Sequence, residues 1–193
     1  MAATELSRAA TRARPSLRLA RAIGLCYLGL WALTVLGAAS AAVIAPAGAR
    51  SALALDLRGA PPASLDRVLS LAAHNLPLAA WPLGLGILGA DSRAPTRRLA
   101  DWVVLASAAA NTGPVAVALG GYGWALVPYV PQLPLEWGSL AVGYGSWLAH
   151  RRCAPSARRR LALLGAVASL TLAAAVIETI APPHRTAASA PAH

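Results

Sequence analysis

The feature that most constrains this chain is a series of long apolar stretches separated by short loops that carry arginine. Residues 22–45 form an uncharged run that is long enough, as a helix, to cross the roughly 30 Å hydrocarbon layer of a membrane. Comparable stretches follow at residues 65–90, 99–119, 133–149 and 161–181. The pattern predicts an all-α fold, a polytopic transmembrane helical bundle with about five membrane spans.

The composition also indicates a membrane protein. Of the 193 residues, 57% are hydrophobic and 12% are charged, which leaves too few polar side chains to cover a soluble domain. A net charge of +10 is typical of proteins that bind nucleic acid, but here the arginines lie in short loops between apolar runs. The membrane surface explains that distribution better, so no nucleic acid is expected. All 17 basic residues are arginine and phenylalanine is absent, which suggests a GC-rich bacterial genome.

The arginines predict the orientation of the spans. Thirteen lie in residues 1–21 and in the loops 91–98 and 150–160, whereas four lie on the other side. Because short basic loops stay in the cytoplasm, the N-terminal segment 1–21 is expected there. The C-terminus is then outside the bacterial plasma membrane, where the small polar residues of the tail 182–193 indicate disorder.

The first apolar run has an alternative interpretation as a cleaved signal peptide. Small residues around Ala45 and Ala47 could resemble a cleavage site. The run is longer than the roughly 7–15 apolar residues of such a signal. We therefore expect it to remain in the protein as a membrane span.

Prolines and glycines mark the predicted ends and breaks of the helices. Ser64 is placed to cap the second span, and Pro77 and Pro82 should kink that span. The glycine-rich residues 120–124 should end the third span. The proline-rich residues 128–134 cannot continue a helix, because proline lacks an amide donor and restricts the residue before it. They predict a break before the fourth span.

Small residues at helical spacing predict close helix packing. Ala106 and Ala110 in the third span, and Gly165 and Ser169 in the fifth, are such pairs. Residues 84–89 spell the glycine pattern of a dinucleotide site, but no strand precedes them and they end a membrane span. Close packing of helices is the better explanation of these glycines.

Five polar residues inside the apolar stretches form a candidate intramembrane site. They are His74, Asn75, Asn111, Glu136 and Glu178. An ionisable group at membrane depth is costly unless it is paired or faces other helices, so it marks a functional site by default. With five spans, Glu136 and Glu178 should lie at similar depth near the outer face, with the other three deeper. An acid at a helix N-terminus, stabilised by the helix dipole, is the alternative for Glu136.

Neither the cysteines nor the histidines have the spacing of a metal site. Cys26 lies within an apolar span, Cys153 lies in a basic loop, and the four histidines are scattered. No metal, no cofactor and no disulfide is therefore expected.

Several of these motifs together resemble the stage II sporulation protein M family over about residues 65–183. The resemblance is carried by His74-Asn75-Leu76 with the Gly84-x-Gly86 run, by Asn111-Thr112-Gly113, by Pro131 to Glu136 and by Ala174 to Pro182. In that family a Pro-His-Gly-x-x-Glu motif opens one helix, and the last helix closes with Ala-x-x-Glu and a nearby Pro. Here Gln132 and Leu133 stand where the family has His and Gly.

The resemblance implies a polytopic membrane protein that, in spore formers, is associated with cell-wall hydrolases during engulfment. We therefore expect a non-enzymatic scaffold that anchors or regulates partners. The expected partners are membrane lipids, other membrane or cell-wall proteins such as peptidoglycan hydrolases, and further copies of the chain. The alternative is a permease or transporter subunit that uses the Glu, Asn and His layer. An intramembrane hydrolase with paired carboxylates is a third hypothesis, which no nucleophile or metal motif supports.

Overall fold

The structure, a computed structural model, describes residues 2–44, 46–53, 62–87, 93–151 and 155–181, and nearly all of these residues are helical. The elements are α1 (Ala2–Ile44), α2 (Pro46–Leu53), α3 (Leu65–Ile87), α4 (Ala94–Tyr122), a 3-10 segment (Gly123–Tyr129), α5 (Leu133–His150) and α6 (Ala157–Ile180). The predicted all-α bundle is confirmed. The ends of the first two predicted spans, at residues 45 and 88–90, Cys153 and the tail 182–193 lie outside the described residues.

Four of the described helices are long and apolar enough to cross a membrane. They are Leu17–Ile44 within α1, Leu65–Leu85 within α3, Ala94–Tyr129 over α4 and the 3-10 segment, and Ala157–Ile180, which is α6. The chain therefore has the architecture of a membrane protein. The fourth predicted span corresponds to α5, whose composition does not reach the same apolarity.

Helix α5 is the centre of the bundle. It packs against α1, α3 and α6, and eleven of its 18 residues are buried. Its length is about 27 Å at 1.5 Å per residue. Because other helices enclose α5, it presents little surface to lipid. The five-span topology requires α5 to cross the membrane inside this enclosure.

Two glycines allow the neighbouring helices to approach α5 closely. A Cβ atom at Gly143 would collide with the backbone carbonyl of Ala79 in α3. Two residues further on, and on the opposite side of α5, a Cβ atom at Gly145 would lie 2.6 Å from the Cα atom of Ile23 in α1. Real Cβ atoms do not tolerate such contacts, so both positions depend on glycine. Membrane helices commonly use small residues in this way.

The small-residue pairs predicted from spacing are not the ones that pack. Ala106 and Ala110 are exposed, as are Gly165 and Ser169, and Gly84 has open space around it. The buried face of α4 is formed instead by Ala100, Val104, Ala108, Thr112 and Ala116. Both faces carry small residues at four-residue spacing, and α1 covers only one of them.

The predicted helix ends are mostly confirmed. The Ser64 side chain accepts a hydrogen bond from the Arg67 amide at 3.2 Å, as expected of an N-cap. Helix α4 ends at Tyr122, and Gly123 follows with a φ of 57°, a conformation that favours glycine. The proline-rich break is a 3-10 segment and a turn rather than extended chain. The N-terminal segment, whose secondary structure the sequence analysis does not predict, is helical, because α1 begins at Ala2 and continues into the first span.

Candidate functional site

A cavity of about 280 Å³ lies where α3, α4, α5 and α6 face one another. Four of the five predicted site residues line it: His74, Asn75, Asn111 and Glu136. These residues come from three helices and are up to 62 positions apart in the chain, so the tertiary fold brings them together. The fifth residue, Glu178, does not line the cavity.

The cavity is a groove with a buried floor and an exposed rim. Its floor includes Trp137, Ser139 and Leu140 of α5 and Thr171 of α6, all buried. Its rim includes His74 and Leu78 of α3 and Ala110 and Pro114 of α4, all exposed. The rim residues lie in the middle of long helices. The groove therefore opens sideways between α3 and α4, toward the surrounding membrane.

Glu136 is the acidic group of the groove. It lies in the first turn of α5, where the helix dipole favours a negative charge. One carboxylate oxygen accepts a hydrogen bond from the Asn75 side-chain amide at 3.5 Å, and the half-buried carboxylate faces the groove. The Ser139 hydroxyl donates to the backbone carbonyl of Glu136 at 2.9 Å and not to its carboxylate.

Glu178 lies beside this site, toward the beginning of α3. It interacts electrostatically with Glu136 and with Arg67. Arg67 precedes Asn75 by eight residues, about 12 Å along a helix. Glu178 is therefore nearer the beginning of α3 than Glu136 is. Four of the five residues expected to form this layer therefore line the groove, and Glu178 does not.

Asn111 connects the groove to a second group of polar side chains. Its amide donates to the Ser107 carbonyl at 2.7 Å and lies 3.4 Å from the Tyr144 hydroxyl. The Ser107 and Tyr144 hydroxyls are 3.0 Å apart. Further along the same two helices, Asp101 accepts hydrogen bonds from Trp147 and Arg151, each at 2.9 Å. Polar side chains thus line the α4–α5 contact from the groove to its far end.

Two groove residues were not recognised as site residues from the sequence. The indole nitrogen of Trp137 and the hydroxyl of Thr171 are buried, with no hydrogen-bond partner among the described residues. Both residues line the groove, and their exposed fractions are 3% and 2%. Thr171 precedes Glu178 by seven residues, which places both on one helix face. That spacing is the signal that could have identified it.

An unpaired polar atom in a buried position costs roughly 1–3 kcal/mol, so native proteins rarely keep one without a reason. Here the Trp137 N–H and the Thr171 hydroxyl belong to side chains that line the same groove as the Glu136 carboxylate, although the two polar atoms are themselves buried. A ligand that reaches them by displacing their neighbours would pair both atoms, and a cationic group is favoured beside Glu136. Among the described residues, no three His, Cys, Asp or Glu side chains come together in a way that could hold a metal ion.

Comparison of the chain with protein-family models, curated proteins and solved structures finds no match.

Proposed function

We propose that this chain is a non-enzymatic integral membrane scaffold, which anchors or regulates partner proteins such as cell-wall hydrolases. The observation that carries the proposal is the sideways opening of the polar groove between α3 and α4. A groove that faces lipid at the middle of two membrane helices is accessible to the transmembrane helix of another protein. The resemblance to the stage II sporulation protein M family supports the same function.

The groove has the chemistry that helix association in membranes uses. The exposed Ala106 and Ala110 lie beside it on α4 and would let a second helix approach closely. The groove also offers the unpaired Trp137 and Thr171 and the Glu136 carboxylate. A polar side chain of the arriving helix would satisfy them, and such a contact contributes about 0.6 kcal/mol on average and up to roughly 2 kcal/mol. We take the occupant to be a partner helix that carries one polar or basic residue.

The proposed orientation fits this function. With the N-terminus in the cytoplasm of a bacterial cell and the C-terminus outside, the Arg67 and Glu178 end of the bundle faces outward. Partners that act on the cell wall would then lie above this end. The groove would hold their membrane anchors.

The proposal is tested by crosslinking in the native membrane. A photoreactive residue at Ala110, on the rim of the groove, should form an adduct that mass spectrometry maps to the membrane-spanning segment of a second polypeptide. The same residue at Leu36, which is 66% exposed within the apolar part of α1, is the control and should not give that adduct. Adducts with lipid alone at both positions would contradict the scaffold.

A permease or transporter subunit is a second candidate, and one observation favours it. The polar groups continue from the groove through Asn111, Tyr144 and Ser107 toward Asp101. A proton or a small solute could use such a series of groups. Uptake into liposomes that contain the purified chain would support this function if it is lost in Glu136→Gln while expression and assembly are retained.

A further inference from the structure

A second groove lies at the other end of α5, away from the polar cavity. It has a volume of about 530 Å³ and lies between α1 and α5. Three arginines line it, Arg18 and Arg21 from α1 and Arg151 from the end of α5. Its remaining wall is apolar and includes Leu25 and Leu148.

The two arginines of α1 lie on one face of the helix, because they are three residues apart. Both are exposed, and they stand where the apolar part of α1 begins, at Leu17. This position corresponds to the boundary between hydrocarbon and lipid headgroups. Arginine side chains at such a boundary extend toward the headgroups.

Arg151 is held in place by its neighbours. One of its terminal nitrogens donates to Asp101 at 2.9 Å, and the other oxygen of Asp101 accepts from the Trp147 indole. A guanidinium group has five N–H donors, so this contact leaves most of them available for a further acceptor. Asp101 offsets one of the three positive charges, and the groove keeps an excess of positive charge.

The shape of the groove follows from the packing of α1 on α5. The two helices are in backbone contact at Ile23 and Gly145. The groove lies beside that contact, where the side chains of Leu25 and Leu148 are 59% and 41% exposed. It therefore combines a basic end at the membrane boundary with an apolar wall that continues into the membrane.

We infer that this groove binds an anionic phospholipid, with its phosphate held by Arg18, Arg21 and Arg151 and an acyl chain along Leu25 and Leu148. Guanidinium groups match the geometry of phosphate oxygens and bind them through paired hydrogen bonds. Basic pockets between membrane helices bind anionic headgroups by the same chemistry. The apolar wall favours a lipid over free phosphate. This inference is independent of the proposed partner and of the orientation of the chain.

The test measures lipid retention by the full-length purified protein with native mass spectrometry. The probes are phosphatidylglycerol, phosphatidylcholine and free glycerol phosphate. The variant Arg18→Gln with Arg21→Gln removes two charges from the groove. Arg158→Gln with Arg159→Gln is the matched control, because both arginines lie at the beginning of α6, at the same end of the bundle but outside the groove. All four positions are on the surface or half-buried, and circular dichroism verifies that each variant is helical.

The wild-type protein should retain phosphatidylglycerol in preference to phosphatidylcholine. The groove variant should bind it about 30-fold more weakly, because two of the three arginines that hold the phosphate are lost and each contributes about fivefold. The control variant should stay within about twofold of the wild type. An equal loss in both variants would show attraction to charge in general and would overturn the site. Displacement of the lipid by an equal concentration of glycerol phosphate would reduce the site to a phosphate site and overturn the role of the apolar wall.

Discussion

The side-chain amide of Asn75 in α3 donates a hydrogen bond to the carboxylate of Glu136 in α5. Asn75 is about 15 Å from the beginning of its helix, whereas Glu136 is in the first turn of its own. Helix α5 therefore begins well inside the bundle rather than at its surface. The 3-10 segment and the turn before Leu133 bring the chain to this depth, and they thereby place an acidic side chain in the polar groove.

The contact at Gly143 predicts a strong effect of one methyl group. Gly143→Ala should lower the free energy of unfolding by about 1–3 kcal/mol, because the added Cβ atom collides with the Ala79 backbone. Gly165→Ala is the matched control, since Gly165 is exposed in α6 with open space around it, and alanine should stabilise that helix by roughly 0.5–1 kcal/mol. Denaturant titration in detergent micelles measures both. Equal effects would contradict the close approach of α3 and α5.

The unpaired hydroxyl of Thr171 predicts that its removal weakens partner binding without lowering the stability of the fold. Thr171→Val keeps the shape of the side chain and removes a buried oxygen that has no partner. The free energy of unfolding should therefore stay the same or increase by up to about 1 kcal/mol. The Ala110 crosslink to a partner should decrease. Thr179→Val is the comparison, because that hydroxyl bonds to the Ala175 carbonyl at 2.7 Å and lies outside the groove. A marked loss of stability in Thr171→Val alone would indicate a structural role for this hydroxyl.

Glu136→Gln distinguishes the two proposed functions. Glutamine keeps an oxygen that can accept from Asn75, and it removes the repulsion between Glu136 and Glu178. For a scaffold, the protein should assemble normally and keep its partner crosslink, whereas Glu136→Ala should lose it. For a transporter, the glutamine variant should lose uptake into liposomes, because a proton or cation site needs the charge. The partner crosslink and the uptake into liposomes, both measured on one preparation, distinguish a scaffold from a transporter.

The proposed five-span topology predicts the labelling pattern of the two termini. In a background without Cys26 and Cys153, cysteines introduced at Thr4 and Ser189 should react with a membrane-impermeant reagent from opposite sides of the membrane. The reason is that α5 must cross the membrane if the basic segments 1–21, 91–98 and 150–160 are all to lie on its cytoplasmic side. Labelling of both positions from the same side would show that α5 is enclosed without crossing and that the chain has four spans.

Local features of the chain could be predicted because they depend on a few neighbouring residues. An apolar run that is long enough to cross the membrane predicts a helix, because a helix satisfies its own backbone hydrogen-bonding groups where no water is present. The Ser64 cap and the helix end before Gly123 depend on single side chains and on one φ angle. The meeting of His74, Asn75, Asn111 and Glu136 could be anticipated, because polar groups at membrane depth avoid lipid.

Only the tertiary structure decided which helix faces pack. In α4, Ala108 is buried and Ala110 is exposed, although both are the same residue in similar surroundings along the chain. Lipid is as apolar as a neighbouring helix, so hydropathy does not distinguish the two faces, and shape complementarity selects one. The tertiary structure likewise decided that the Trp137 indole lies in the groove without a hydrogen-bond partner among the described residues, because that depends on how α5 packs against its neighbours.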